Sequence, residues 1–214
     1  MTEAQGKPST TVHALFPTPI LQIQNAVGSA DLAAIVSLLR QDPNADNREM
    51  KRATRSSDVE PPGTRLIAIL DPIVGPALAQ FGSLLFGEEL KWKVSGIWAN
   101  EIAPRSSQKF HNHANSMASG IIYAEGDFSR SKTKFLRGTQ TVSFIFSNLH
   151  ESAHVTEFSR DSWEPETLSA GDMIIFPSFL MHGVSNQAKE IRTTIAFNAL
   201  PERLKYREYE IGFF

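Results

Sequence analysis

The spacing of hydrophobic positions changes period once along the chain. In "SADLAAIVSLLRQ", Leu32, Ile35, Val36 and Leu39 recur every three or four residues, which predicts an amphipathic helix with Ser29 as its cap. "DPIVGPALAQFGSLLFG" predicts a second helix, with Pro76 near its first turn and Gly87 as its stop. From about residue 90 the period shortens. "LKWKVSGIWANEIA", "SGIIYAE", "TVSFIFSN", "HVTEF", "DMIIFPS" and "RTTIAFNAL" are short, rich in β-branched and aromatic residues, and separated by turn residues. Several strands at this spacing predict a β-sandwich or barrel-like fold. Ahead of the helices, "HALFPTPILQIQN" carries Pro17 and Pro19 and reads as an edge strand, because proline cannot donate inside a sheet.

Three polar stretches punctuate this pattern. Residues 1–11 read as a disordered tail. Residues 41–63 read as a long loop. The segment "FSRSKTKFLRG", within residues 126–140, reads as a solvated basic loop carrying Arg130, Lys132, Lys134 and Arg137. Neither loop contains a motif. Residues 12–214 form one expected domain, with helical support over about 29–87 and a β core over about 90–200.

Composition narrows the class. With 214 residues, 41% of them hydrophobic, the chain can bury one sizeable core. A formal net charge of −2 gives no reason to expect nucleic acid or an anionic membrane as a partner. The absence of cysteine excludes disulfides, thiolate metal sites and cysteine nucleophiles. No basic stretch followed by an apolar one opens the chain, and no apolar run approaches the roughly 20 residues of a membrane helix. The expected location is the cytoplasm.

Two stretches carry candidate chemistry. In "QKFHNHANSMASGIIYAEGD", His111 and His113 are two residues apart before an apolar run. In an extended strand they share a face, so both imidazoles can aim at one metal ion. In "SAGDMIIFPSFLMHGVSNQAKEIRTTIAFNAL", Gly171 and Asp172 signal a turn, Met173 to Phe176 a buried strand, and His182 and Arg192 follow. Arg192 opens a strand on which Thr194 and Ala196 share its face. A guanidinium in an apolar barrel needs a carboxylate, from the protein or from a ligand.

These motifs together resemble the double-stranded β-helix of the Fe(II)- and 2-oxoglutarate-dependent oxygenases. "LFPTPI", "WAN", "HNHANSMASGIIYAEGD", "GDMIIFPSFLMHGV" and "IRTTIAFN" are similar to a prolyl-hydroxylase-like group of such enzymes in bacteria and phages. The resemblance spans residues 13–200 and is densest over 96–198. It implies a mainly β (α+β) fold: a double-stranded β-helix, or jelly roll, with N-terminal helices packed against it. It implies Fe(II) as metal, 2-oxoglutarate as co-substrate and O₂, with His111, His113 and His182 as metal ligands. Arg192 and Thr194 would hold the far carboxylate of 2-oxoglutarate. Tyr123 falls where relatives place a tyrosine touching the same carboxylate, and Asn100 would line the pocket. The implied reaction is hydroxylation of a small molecule or a protein side chain, with release of succinate and CO₂. One departure stands out: most of the superfamily has aspartate where this chain has His113.

Three other readings remain open at this point. "GDMIIFPSFLMHGVSN" also fits a cupin motif through Gly171, Pro177, His182 and Asn186, although no acid follows "HNH" where a cupin needs one. "LHESAHV" matches H-E-x-x-H through His150, Glu151 and His154, the pattern of a zinc peptidase, but lies between predicted strands. A non-catalytic scaffold of the same fold is the third. The C-terminal "EYEIGFF" ends in aromatics that leave room for a homodimer.

Overall fold

The computed structural model describes residues 11, 12, 14, 16–40, 54–58, 65–137 and 150–213. The elements run β1 (Leu21–Ile23), α1 (Ser29–Arg40), β2 (Thr54–Asp58), α2 (Arg65–Phe86), β3 (Trp92–Ile102), β4 (Ser107–His111) and β5 (Ala118–Glu125). They continue with β6 (Thr133–Leu136), β7 (Ser162–Trp163), β8 (Met173–Pro177), β9 (His182–Ser185), β10 (Arg192–Pro201), β11 (Arg203–Tyr206) and β12 (Tyr209–Gly212). Two antiparallel sheets form the core. The major sheet has the order β1-β8-β5-β10-β3-β2 and the minor sheet β4-β9-β6-β7. From β3 to β10 the chain passes back and forth between them, which is the winding of a double-stranded β-helix. β11 and β12 form a separate hairpin that leaves Tyr206, Tyr209 and Ile211 exposed.

Alternation along the major strands divides the core into two layers. Ile122, Met173, Ile175, Ile195, Phe197 and Ala199 face outward, yet are buried, because Leu32, Ile35 and Val36 of α1 and Leu70, Val74, Leu78 and Phe81 of α2 cover them. Ile121, Tyr123, Ile174 and Phe176 face the minor sheet and pack with Phe128, Phe135 and Leu180. A strand buried on both faces has no polar side, which is why "MIIFP" reads as a continuous apolar run. Each fully buried large side chain in these layers contributes roughly 1.5–3 kcal/mol. At its C-terminal end α1 is tied to the major sheet by Arg40, which pairs with Glu101 at 3.0 Å and Glu125 at 2.5 Å.

Several expectations change. The cap of α1 is Gly28, whose carbonyl accepts from Leu32 N–H at 2.9 Å, so Ser29 lies inside the helix. The second helix begins at Arg65 and carries Pro72 and Pro76 within it. Over Ala68–Phe86 it is long and apolar enough to cross a membrane by composition, contrary to the sequence reading, but its apolar side is committed to the sheet. The expected loop 41–63 contains β2, which pairs with β3. The expected basic loop contains β6, with Thr133 and Phe135 buried and Lys134 half-buried on the opposite face. "HVTEF" is turn and coil, not strand. The strand expected over 141–148 and most of the N-terminal tail lie outside the described residues.

Two glycines are required by close approach. Gly171 has φ +91° and packs so tightly that a Cβ would lie 2.6 Å from Val27 O; this turn feeds β8. Gly120 pairs with Phe197 across β5 and β10, and a Cβ there would meet the Phe197 ring at 2.0 Å. The Gly120→Ala protein is therefore expected to lose about 1–3 kcal/mol or more through overpacking. Adding Phe197→Ala is expected to recover part of that loss, a non-additivity that denaturant melts of the two single variants and the double variant will show.

Candidate active site

The two sheets face each other across a narrow cleft, lined from the major sheet by Trp98, Asn100, Arg192 and Thr194 and from the minor sheet by His111, Thr133 and His182. Each end has its own chemistry. At one end His111, His113 and His182 each offer a ring nitrogen, and these nitrogens lie within 4.8 Å of one another. His111 closes β4 and His182 opens β9, and the two are directly paired in the ladder. His113 lies two residues beyond β4. It owes its place to a backbone bond, its N–H donating to Ser178 O at 3.0 Å, rather than to strand alternation.

Hydrogen bonds orient two of the rings. His111 Nδ1 lies 2.8 Å from Lys109 O and His182 Nδ1 lies 3.0 Å from Leu180 O. Carbonyls only accept, so each Nδ1 carries the hydrogen and each Nε2 keeps its lone pair for the cleft. Burial pushes His182 down to about 3, with the neighbouring histidines adding to the effect, and pushes His113 down to about 4, with His111 adding to it. Both rings are neutral at pH 7, the state that binds metal. Phe176 packs edge-on to His182 at 4.7 Å, and Trp98 lies 5.3 Å from His113.

At the other end Arg192 is 2% exposed. It donates from Nε to Ser131 O at 3.0 Å, from one terminal nitrogen to Thr194 Oγ1 at 3.0 Å and from the other to Thr133 Oγ1 at 2.9 Å. Its guanidinium lies 5.5 Å from the centre of the Tyr123 ring. No carboxylate among the described residues pairs with it, and burial lowers its pKa below the ordinary arginine value. Tyr123 is fully buried one layer behind the cleft and donates to Thr133 Oγ1 at 2.8 Å. Thr133 thus accepts twice, leaving its own hydrogen free for a further acceptor. A buried cation surrounded by hydroxyls and open to a cleft has the chemistry to receive a carboxylate.

The sequence-predicted residues therefore converge: His111, His113 and His182 at one end, Arg192 and Thr194 at the other, Asn100 in the wall between, and Tyr123 behind Thr133. Sequence reasoning missed Thr133 and Asn198. Asn198 was findable, since it continues the inward row of Arg192, Thr194 and Ala196. The buried Asn186 of the cupin-like motif is occupied with backbone, donating to Ile102 O and Glu190 O. His150 and His154 stand exposed on turn and coil, away from the histidine cluster, so the helix that an H-E-x-x-H zinc site needs is absent there.

Residues 96–198, which hold every residue of the cleft, match a family model described as "Putative 2OG-Fe(II) oxygenase". This stretch belongs to the 2OG-Fe(II) oxygenase family. Members are 2-oxoglutarate-dependent non-haem iron oxygenases that use Fe(II), 2-oxoglutarate and O₂. Solved structures of low identity share the fold of this chain. A 2OG-Fe(II) oxygenase family oxidoreductase from Burkholderia pseudomallei is 15% identical, with 84% of this chain and 83% of that one covered at a TM-score of 0.58. A prolyl-4-hydroxylase from Pseudomonas putida is 14% identical, with coverage of 86% and 93% at 0.56. HygX from Streptomyces hygroscopicus, crystallised with nickel and 2-oxoglutarate, is 15% identical, with coverage of 86% and 83% at 0.51. No curated protein matches the chain.

The ring environments set a pH dependence. His113 and His182 have depressed pKa values in the folded protein and the ordinary value of 6.5 when unfolded. Below 6.5 the unfolded chain binds more protons, so their contribution is full above 6.5. It drains away as pH falls toward about 4 for His113 and about 3 for His182. Metal-free protein is expected to lose thermal stability from pH 7 to pH 4.5 more steeply than its His182→Gln variant. Parallel melting curves across that range would count against this burial.

Proposed function

We propose that this protein is an Fe(II)- and 2-oxoglutarate-dependent dioxygenase that hydroxylates a small molecule or a protein side chain. The observation that carries the reading is Arg192, a buried cation with no carboxylate partner among the described residues, facing the same cleft as three convergent imidazoles. The donor set fits the metal: neutral nitrogen ligands suit divalent iron, and two of the three rings are held with Nε2 free. The receptor end fits the far carboxylate of 2-oxoglutarate, with charge from Arg192 and hydroxyls from Thr133 and Thr194.

In this reading His111, His113 and His182 hold the iron. When bound, iron with 2-oxoglutarate and O₂ supplies an oxidative decarboxylation that yields succinate and CO₂, one oxygen atom going to succinate and the other to the substrate as hydroxyl. The chain's own part is placement. Arg192 fixes the far carboxylate and thereby sets how far the keto acid end reaches toward the histidines. Thr194 and Thr133 orient the guanidinium, and Tyr123 holds Thr133 from behind. Because burial raises the Tyr123 pKa, with the nearby Arg192 only partly opposing it, the phenol stays protonated and remains a donor. Ile121 and Phe176 in the cleft wall limit water.

An anaerobic titration with Fe(II) and then 2-oxoglutarate tests this. The visible metal-to-ligand charge-transfer band of the chelate is expected in the wild type and absent in His182→Ala. Arg192→Met is expected to keep iron binding and to weaken 2-oxoglutarate by at least about 30-fold, the scale for removing one partner of a buried, hydrogen-bonded charge pair. Iron binding without any band on adding 2-oxoglutarate would return the three histidines to the cupin reading.

A further inference from the structure

Asn198 and three serines form a continuous row beneath His113. Ser116 Oγ lies 2.9 Å from Ala118 O and 3.1 Å from Ala199 O. Ser178 Oγ lies 3.0 Å from Ser116 Oγ, Ser119 Oγ lies 2.8 Å from Ser178 Oγ, and the Asn198 amide lies 2.7 Å from Ser119 Oγ. The far side of that amide is 3.5 Å from His113 Nδ1. Ser119 and Ser178 are each 1% exposed, so these hydroxyls bond to each other rather than to water.

Each hydroxyl has one hydrogen, and this fixes the direction of the row. Ser116 faces two carbonyls, which only accept, so its hydrogen goes to them. Its oxygen therefore accepts from Ser178. That uses the only hydrogen of Ser178, so the contact between Ser178 and Ser119 takes the hydrogen of Ser119. Ser119 then accepts, and the Asn198 group facing it must be the amide N–H. The structure places Oδ1 on that side and Nδ2 toward His113, but amide oxygen and nitrogen are near-isosteric. With Oδ1 kept toward Ser119, the Ser119–Ser178 or the Ser178–Ser116 contact would hold two oxygens together with no hydrogen between them. Turning the amide over satisfies every member and presents the Asn198 carbonyl to His113. An acceptor there requires hydrogen on Nδ1, which leaves the lone pair on Nε2.

We propose that Asn198, its amide set by Ser116, Ser178 and Ser119, is the positioning residue that holds His113 in the tautomer able to bind a metal ion. The inference rests on the reading of His111, His113 and His182 as ligands. It gives His113 what Lys109 O and Leu180 O give the other two rings. His113 Nε2 and His182 Nε2 are 3.3 Å apart, so two lone pairs then face each other at a separation that a cation between them relieves. In the opposite tautomer His113 Nε2–H donates to His182 Nε2, and neither nitrogen is available to a metal.

Histidine ¹⁵N chemical shifts of the metal-free protein at pH 7.5 test the assignment directly. The expected result is a protonated Nδ1 on His113, with the Nε2–H form growing in Asn198→Ala. Calorimetric Fe(II) affinity under argon is expected to fall 10- to 100-fold in Asn198→Ala, the usual cost of losing a partner behind a metal-ligating histidine. It is expected to stay within about threefold of wild type in Asn198→Asp, which still offers Nδ1 an oxygen. A dominant Nε2–H form of His113 in the wild type overturns the proposal, and this measurement needs no variant to fold. Wild-type affinity in Asn198→Ala, with binding abolished in His182→Ala, overturns the proposal alone and leaves the ligand reading standing. Failure of the wild type to bind Fe(II) overturns both.

Discussion

The buried guanidinium of Arg192 is the constraint around which the inner layer is arranged. A cation out of water with no carboxylate beside it costs several kcal/mol unless dipoles replace its hydration. Here the replacement is specific: Ser131 O, Thr133 Oγ1, Thr194 Oγ1 and the face of Tyr123. These groups come from β5, β6, β10 and the turn before β6, so the cation is tolerable only when both sheets are in register. Polar side chains accordingly collect on the inward face of β10, while its outward face beyond Thr193, at Ile195, Phe197 and Ala199, remains apolar for α1 and α2 to cover. The apolar layer supplies the stability that the polar layer spends on holding an unneutralised charge.

Legibility in the sequence follows from which forces shape each element. α1, β3 and β10 were readable because each presents an apolar face at a fixed period, and β5 and β8 because each is a short apolar run bounded by turn residues. The minor sheet was not. β4, β6 and β9 are four or five residues long and turn polar side chains outward, so their pairing is decided by long-range contacts that a local pattern does not carry. Lys132 and Lys134 concealed Thr133 and Phe135 for this reason: the charges belong to the outer face of the same short strand. α2 begins earlier than a helix with Pro76 near its first turn would, because burial of Leu70, Val74, Leu78 and Phe81 outweighs two lost backbone bonds.

The site was more legible than the framework that positions it. His111, His182, Arg192 and Thr194 could be named from residue type and order. The reason for the placement of His113 could not: the convergence is real, but it comes from the Ser178 carbonyl and not from strand alternation. Asn198 lay in plain view on the Arg192 face, yet its importance depends on three serines drawn from β5 and two loops. Partners of partners are set by tertiary packing, and a one-dimensional pattern records them only as isolated polar residues.

The histidine at position 113 changes the electrostatics of the whole cleft. A coordinated imidazole brings no charge where an aspartate brings one negative, so this cleft contains one fixed cation, Arg192, and no fixed anion among the residues lining it. A divalent metal entering alone meets that cation without a compensating carboxylate. A dianionic keto acid meets Arg192 at one end and, once the metal is present, a site one unit more positive than the aspartate version at the other. Under the proposed function each ligand therefore supplies the charge the other lacks, and linkage makes the gain reciprocal. The arrangement weakens the grip on a bare metal and strengthens it on the metal together with its co-substrate. That shift places the burden of holding a metal alone on ligand orientation, which is the physical reason for a row of serines to end, through Asn198, on the one ring of the three with no backbone carbonyl on its Nδ1 among the described residues.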